Sequence, residues 1–101
     1  MKELYILANK IGFKPQNLSI SWKTDSYLWM CELQKWLREK YKFHIEIEDF
    51  DDIKSGELVY FTTLRTKHAE YYHKDNKQFS SYEDALEFSL TTLLKQIKLI
   101  N

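Results

Sequence analysis

The chain has 101 residues, 44% of them apolar and 30% charged, with 15 Lys+Arg balanced by 15 Asp+Glu. That length fits one domain, and zero net charge excludes a uniformly basic nucleic-acid coat or a strongly acidic mimic. A single cysteine, Cys31, excludes an intramolecular disulfide framework and a multi-cysteine zinc site; two glycines and one proline exclude collagen-like and low-complexity readings.

Aromatic residues make up 16% of the chain (3 Trp, 7 Tyr, 6 Phe). They are enough to close a small core without metal or disulfide and leave some over for an interface. No apolar run approaches the ~18 residues of a membrane span. The short run Leu4–Ala8 is bracketed by Glu3, Asn9 and Lys10, unlike a secretory apolar segment. A cytoplasmic protein with a reduced thiol is expected.

In chain order, residues 2–11 are predicted to form a helix. Leu4, Leu7, Ala8 and Ile11 follow the i, i+3, i+4, i+7 spacing, Gly12 occupies the helix-ending position, and Pro15 bars continuation. Residues 14–24 read as a connection pinned by Trp22, although Leu18, Ile20 and Trp22 also alternate as a short strand would. A second helix is predicted over 26–42, with Thr24 and Asp25 offering N-cap oxygens and Met30, Leu33, Leu37 and Tyr41 forming its apolar stripe, widened by Trp29 and Trp36.

Phe43, Ile45 and Ile47 alternate with His44, Glu46 and Glu48, a strand over 43–48 with one wet face. Asp49–Gly56 reads as an acidic turn. The run 57–66 is apolar on both faces and is expected to be the central strand, with a third strand near 69–73. The last helix is predicted from Ser80 or Ser81 to about Ile100; Ser80 with Glu83 fits a capping box, and Leu86, Leu90, Leu93 and Ile97 share one stripe.

The expected fold is therefore a single α+β domain over 1–101 in the order α-α-β-β-β-α. Residues 1–13 form the N-terminal helix, 14–24 the connection and 25–101 an αβββα core. A three-stranded antiparallel meander carries both long helices on one face, and the first helix packs at an end or edge.

Two blocks carry a resemblance. Cys31-Glu-Leu-Gln-Lys-Trp-Leu-Arg-Glu39 followed by Phe43-His-Ile-Glu-Ile47 resembles the "LQKWLRE…IHIEI" block of short bacteriophage and prophage proteins, and Ser81-Tyr-Glu-Asp-Ala-Leu-Glu87 with the terminal Leu99-Ile100-Asn101 resembles their "SYEEALE…LKLI" ending. The resemblance covers about half the chain and both long helices; residues 49–79 do not take part. It implies a mobile-element origin and an intracellular location, but no activity. The element order is also similar to that of the double-stranded-RNA-binding fold. That resemblance is topological only: Glu83 and Asp84 stand where those domains place lysines.

Charge is unevenly placed along the chain. Residues 46–57 hold six carboxylates against Lys54, a net of −5, while 65–78 carry +2. Arg65, Lys67, Lys74 and Lys77 are candidate phosphate contacts, with Tyr71 or Tyr72 stacking on bases; the competing reading is a solvated strand and loop. Asp49, Asp51 and Asp52 lack the ligand spacing of a calcium loop. His44, Glu46 and Glu48 share a strand face but bring no second His or Cys at ligand spacing. Cys31 has no base placed beside it by sequence, so an inert thiol is expected. Trp29 and Trp36, seven apart, are either core or an exposed aromatic interface.

No nucleophile elbow, phosphate loop, dinucleotide fingerprint or zinc-protease motif is present. The chain is expected to be no enzyme and to use no cofactor, metal or small-molecule substrate. The preferred expectation is a small accessory protein that binds another protein or itself, with nucleic-acid binding through 65–78 as the alternative.

Overall fold

The computed structural model of the chain describes residues 1–66, 70–72 and 78–100, with side chains over 1–66 and 78–97. It is α+β, in the order α1 (Lys2–Lys10), α2 (Ser26–Tyr41), β1 (His44–Asp51), β2 (Leu58–Arg65), β3 (Glu70–Tyr72) and α3 (Tyr82–Ile100).

α1 ends as its sequence dictates. Gly12 takes φ +86°, its N–H donates to Asn9 O, and the Phe13 N–H donates to Ala8 O. These two bonds satisfy carbonyls the helix leaves open, and the turn drops Phe13 into the core. Residues 14–24 form turns rather than a strand: Asn17 Oδ1 accepts from the Ser19 N–H and hydroxyl, and Trp22 stacks on Tyr5 at 4.7 Å between ring centroids. Asp25 is the N-cap residue of α2, yet its carboxylate does not cap the helix; it accepts instead from the Ser21 N–H and the Thr24 hydroxyl.

α3 is capped by Ser81, the second of the two serines expected to begin it. The Ser81 hydroxyl oxygen accepts the Asp84 N–H at 3.1 Å, so the acidic partner three residues on is Asp84 rather than Glu83. Ser81→Ala is expected to lower the unfolding free energy by about 1 kcal/mol in urea titrations, and Ser80→Ala to leave it within about 0.5 kcal/mol.

α3 is the hub of the domain. Ala85, Leu86, Ser89, Leu90, Leu93, Leu94 and Ile97 are all buried, and the Ser89 hydroxyl donates to Ala85 O at 2.7 Å, so the one polar side chain among them is satisfied. α1 packs on α3 through Leu4 and Ala8, α2 through Met30, Leu33 and Leu37, and the sheet closes the cluster with Phe43, Ile45, Ile47 and Leu64.

The sheet is in the main one antiparallel ladder of β1 and β2, paired without interruption from His44↔Arg65 to Asp51↔Leu58. Of the third strand expected near 69–73, the described residues hold Glu70–Tyr72, opposite Arg65, Leu64 and Thr63. Further along β2, Tyr60 exchanges two backbone hydrogen bonds with Phe79. Among the described residues the sheet is therefore a long two-stranded ladder with a short third strand beside it, not three strands of comparable length. β1 is also longer than predicted. Residues 49–51 continue the ladder, and the reversal is confined to Asp52–Glu57, where Asp52 accepts from the Lys54 N–H and the Ser55 hydroxyl and Gly56 takes φ +71°.

Candidate functional site

The β1–β2 hairpin has two faces and two halves. On the helix side, Ile45 and Ile47 stand opposite Leu64 and Thr62 and are covered by the helices. Further out on the same side lie Asp49 and Asp51, opposite Tyr60 and Leu58. Cover ends at Tyr60, whose ring meets Tyr82 at the start of α3 edge to face at 6.3 Å. Beyond it every residue of β1 from Glu48 to Asp51 is exposed. The outer half of the hairpin is thus an arm that stands clear of the helical layer.

That arm carries apolar groups that no core takes up. Ile53 in the turn is 100% exposed, Phe50 46% and Leu58 45%. On the open face, away from the helices, Phe50 packs on Phe61 with ring centroids 4.4 Å apart, a diagonal cross-strand pair beside Val59. Carboxylates rim the patch: Glu46 and Glu48 lie further along the same face of β1, and Asp51 and Glu57 flank the turn. A protruding aromatic and aliphatic surface with an acidic border can bury apolar area against a partner and select that partner by charge.

Of the residues singled out by sequence, Arg65 is on β2, where its guanidinium pairs with the Glu46 carboxylate. Lys67, Lys74 and Lys77 lie outside the described residues. Tyr71 and Tyr72 are placed on β3 by backbone only, in register with Leu64 and Thr63. The expected phosphate-contact segment 65–78 thus lies mostly outside the described residues.

The two tryptophans separate. Trp29 is 3% exposed, with Phe13 edge to face at 5.5 Å and Tyr5 at 6.1 Å. Trp36 is half-buried against Phe13 and Tyr41, with the Lys40 ammonium 4.8 Å from its ring centre. Of the two expected alternatives, core packing or an exposed interface, Trp29 takes the first, while Trp36 keeps part of its ring exposed at the edge of the core; the chain turning back at Gly12 sets Phe13 against both rings.

Among the described residues no three His, Cys, Asp or Glu side chains converge as metal ligands would. Cys31 is half-buried and hydrogen-bonded to Tyr27. That bond and the thiol's charge lift the Tyr27 phenol above its ordinary value, with smaller contributions from burial and from Tyr82 and Glu83. A group that holds its proton more tightly when folded stabilises the fold below its unfolded pKa, and this is lost as pH rises through the folded value. Absorbance titration should therefore show Tyr27 ionising later than free tyrosine, with this group's own stabilising contribution lost only above about pH 10; Cys31→Ala should move the titration back down.

The arm was not singled out by sequence. The signal available was Phe50 and Ile53 set among acids, in a stretch whose composition reads as a solvated turn.

No protein-family model matches the chain, and no curated protein or solved structure is significantly similar to it. Among the described residues, no helix is long and apolar enough to cross a membrane.

Proposed function

We propose that this chain is a non-enzymatic protein-interaction module that binds through its hairpin arm. The observation that carries the reading is the free outer half of the hairpin, where Phe50, Ile53 and Leu58 are held away from the core. Exposed apolar groups on a rigid two-stranded element present contact area at low ordering cost. The phage and prophage resemblance of the blocks 31–47 and 81–101 supports placing it among small cytoplasmic accessory proteins of mobile elements. The αβββα order of the core, with a three-stranded meander under two helices, is offered as the topology of the double-stranded-RNA-binding fold without its chemistry. Glu83 and Asp84 at the start of α3 disfavour phosphate at that helix end.

A triple variant, Phe50→Ser/Ile53→Ser/Leu58→Ser, tests the reading. Used as bait beside the wild-type chain, it should lose a stoichiometric protein partner that the wild type retains, with its midpoint of unfolding nearly unchanged. Equal recovery of the partner by both chains, or no stoichiometric partner for either, would overturn it. Titration with duplex RNA, duplex DNA and single strands at about 50 mM salt, where electrostatic binding is strong, is expected to show no complex.

A further inference from the structure

The hairpin arm has an edge as well as a face. In the sheet order β1-β2-β3, β1 is outermost, and among the described residues no backbone hydrogen bond reaches it from the side away from β2. Alternate residues of an antiparallel strand point their N–H and C=O groups outward, so within the eight residues of β1 four, Ile45, Ile47, Asp49 and Asp51, present unpaired backbone groups. Edges of this length are commonly blunted by a proline, a bulge or charged side chains, lysine above all. β1 contains no proline or lysine, and its register with β2 runs without a bulge.

Charge decides what this edge can accept. Glu46, Glu48, Asp49 and Asp51 lie along it. A second copy is a poor occupant: antiparallel pairing centred on Ile47 sets Glu46 of each copy opposite Glu48 of the other, and centring on Glu48 opposes Glu48 to itself. Like charges directly opposite one another destabilise a strand pair. An extended segment rich in Lys and Arg meets the same carboxylates favourably. On the open face, the half-exposed Phe50 ring, packed on Phe61, offers apolar contact surface at the far end.

We propose that β1 takes up a basic extended segment of a partner protein by antiparallel strand addition, read as apolar-x-basic against Phe50 and Glu48, the Glu46 carboxylate being already paired with Arg65. This rests on the arm being the binding element and adds the mode and chemistry of binding. Running antiparallel to β1, the partner meets Phe50 first, then Glu48, then the already paired Glu46. Its intervening residues face Asp49 and Ile47, which favours a basic residue at the first and a β-branched one at the second.

The test uses the full chain and the synthetic peptide acetyl-TFKKVRT-amide. Calorimetric titration should show one-to-one binding that weakens as salt is raised. The peptide with Glu in place of Lys and Arg should not bind. Two backbone-methylated peptides, one on each alternate set of residues, give the discriminating readout: one should lose at least about tenfold in affinity because its methyl groups replace N–H donors to β1, and the other should bind like the parent. Glu48→Lys should weaken the parent peptide by a similar factor while leaving the midpoint of unfolding in place. If both methylated peptides bind like the parent and Phe50→Ser abolishes binding, the edge proposal falls while the arm remains the binding surface. If no peptide binds, the edge proposal falls by itself, and the triple-variant bait still decides whether the arm is used.

Discussion

Leu90→Ala should lower the unfolding free energy by about 3–4 kcal/mol, measured by urea titration with matched slopes. Leu90 is fully buried at the middle of α3, the helix that α1, α2 and both long strands pack against. Its truncation removes transfer energy and leaves a cavity that neighbours on several elements would have to move together to fill. A domain of this size has a total stability of about 5–15 kcal/mol, so the variant should populate unfolded chains at modest temperature. Leu90→Met, which nearly conserves volume, should cost less than about 1.5 kcal/mol. A small loss for Leu90→Ala would mean that α3 is not the hub.

Trp29→Ala should cost about 3–5 kcal/mol and so report core rather than interface. The indole ties three parts of the chain together: its own helix, Tyr5 on α1 and Phe13 after the Gly12 turn. Losing it should loosen α1 and the connection as well as α2. An exposed interface tryptophan behaves differently, since its removal leaves stability within about 0.5 kcal/mol and costs only binding. Trp29→Phe should recover much of the loss, because a smaller ring still fills part of the site. Ile53→Ser, at the fully exposed tip, should leave stability unchanged.

The helices were legible where their stripes are regular. Leu86, Leu90, Leu93 and Ile97 mark the buried face of α3 by spacing alone, and Gly12 with Phe13 marks the end of α1. Caps were less legible because adjacent residues offer the same chemistry. Ser80 and Ser81 both precede an acid at a suitable distance, and only backbone geometry shows that Ser81 is used. Asp25 has the right residue type for an N-cap, but its carboxylate is taken by Ser21 and Thr24.

The end of β1 is not legible in the sequence for a reason in the packing. Up to Ile47 the helix side of β1 is apolar because helices lie over it; at Asp49 and Asp51 the same side is charged because nothing lies over it. The alternation fails there while the ladder continues, and composition alone reads such a stretch as a turn. The arm was hidden by the same failure, since Phe50 and Ile53 sit among residues that look solvated. For the tryptophans, seven-residue spacing places two rings on one helix face but does not say whether a neighbour covers that face. Phe13, brought back by a turn outside the helix, supplies the cover.

Native-state amide exchange is the most direct test of a hairpin sealed by helices at its base and free at its tip. Amides of α3 between Leu86 and Ile97 should exchange only through global unfolding. Those of the arm from Glu48 to Val59 should open at a free energy several kcal/mol lower, in proportion to their thin apolar cover. Arm amides as protected as those of α3, or α3 amides opening before them, would contradict it.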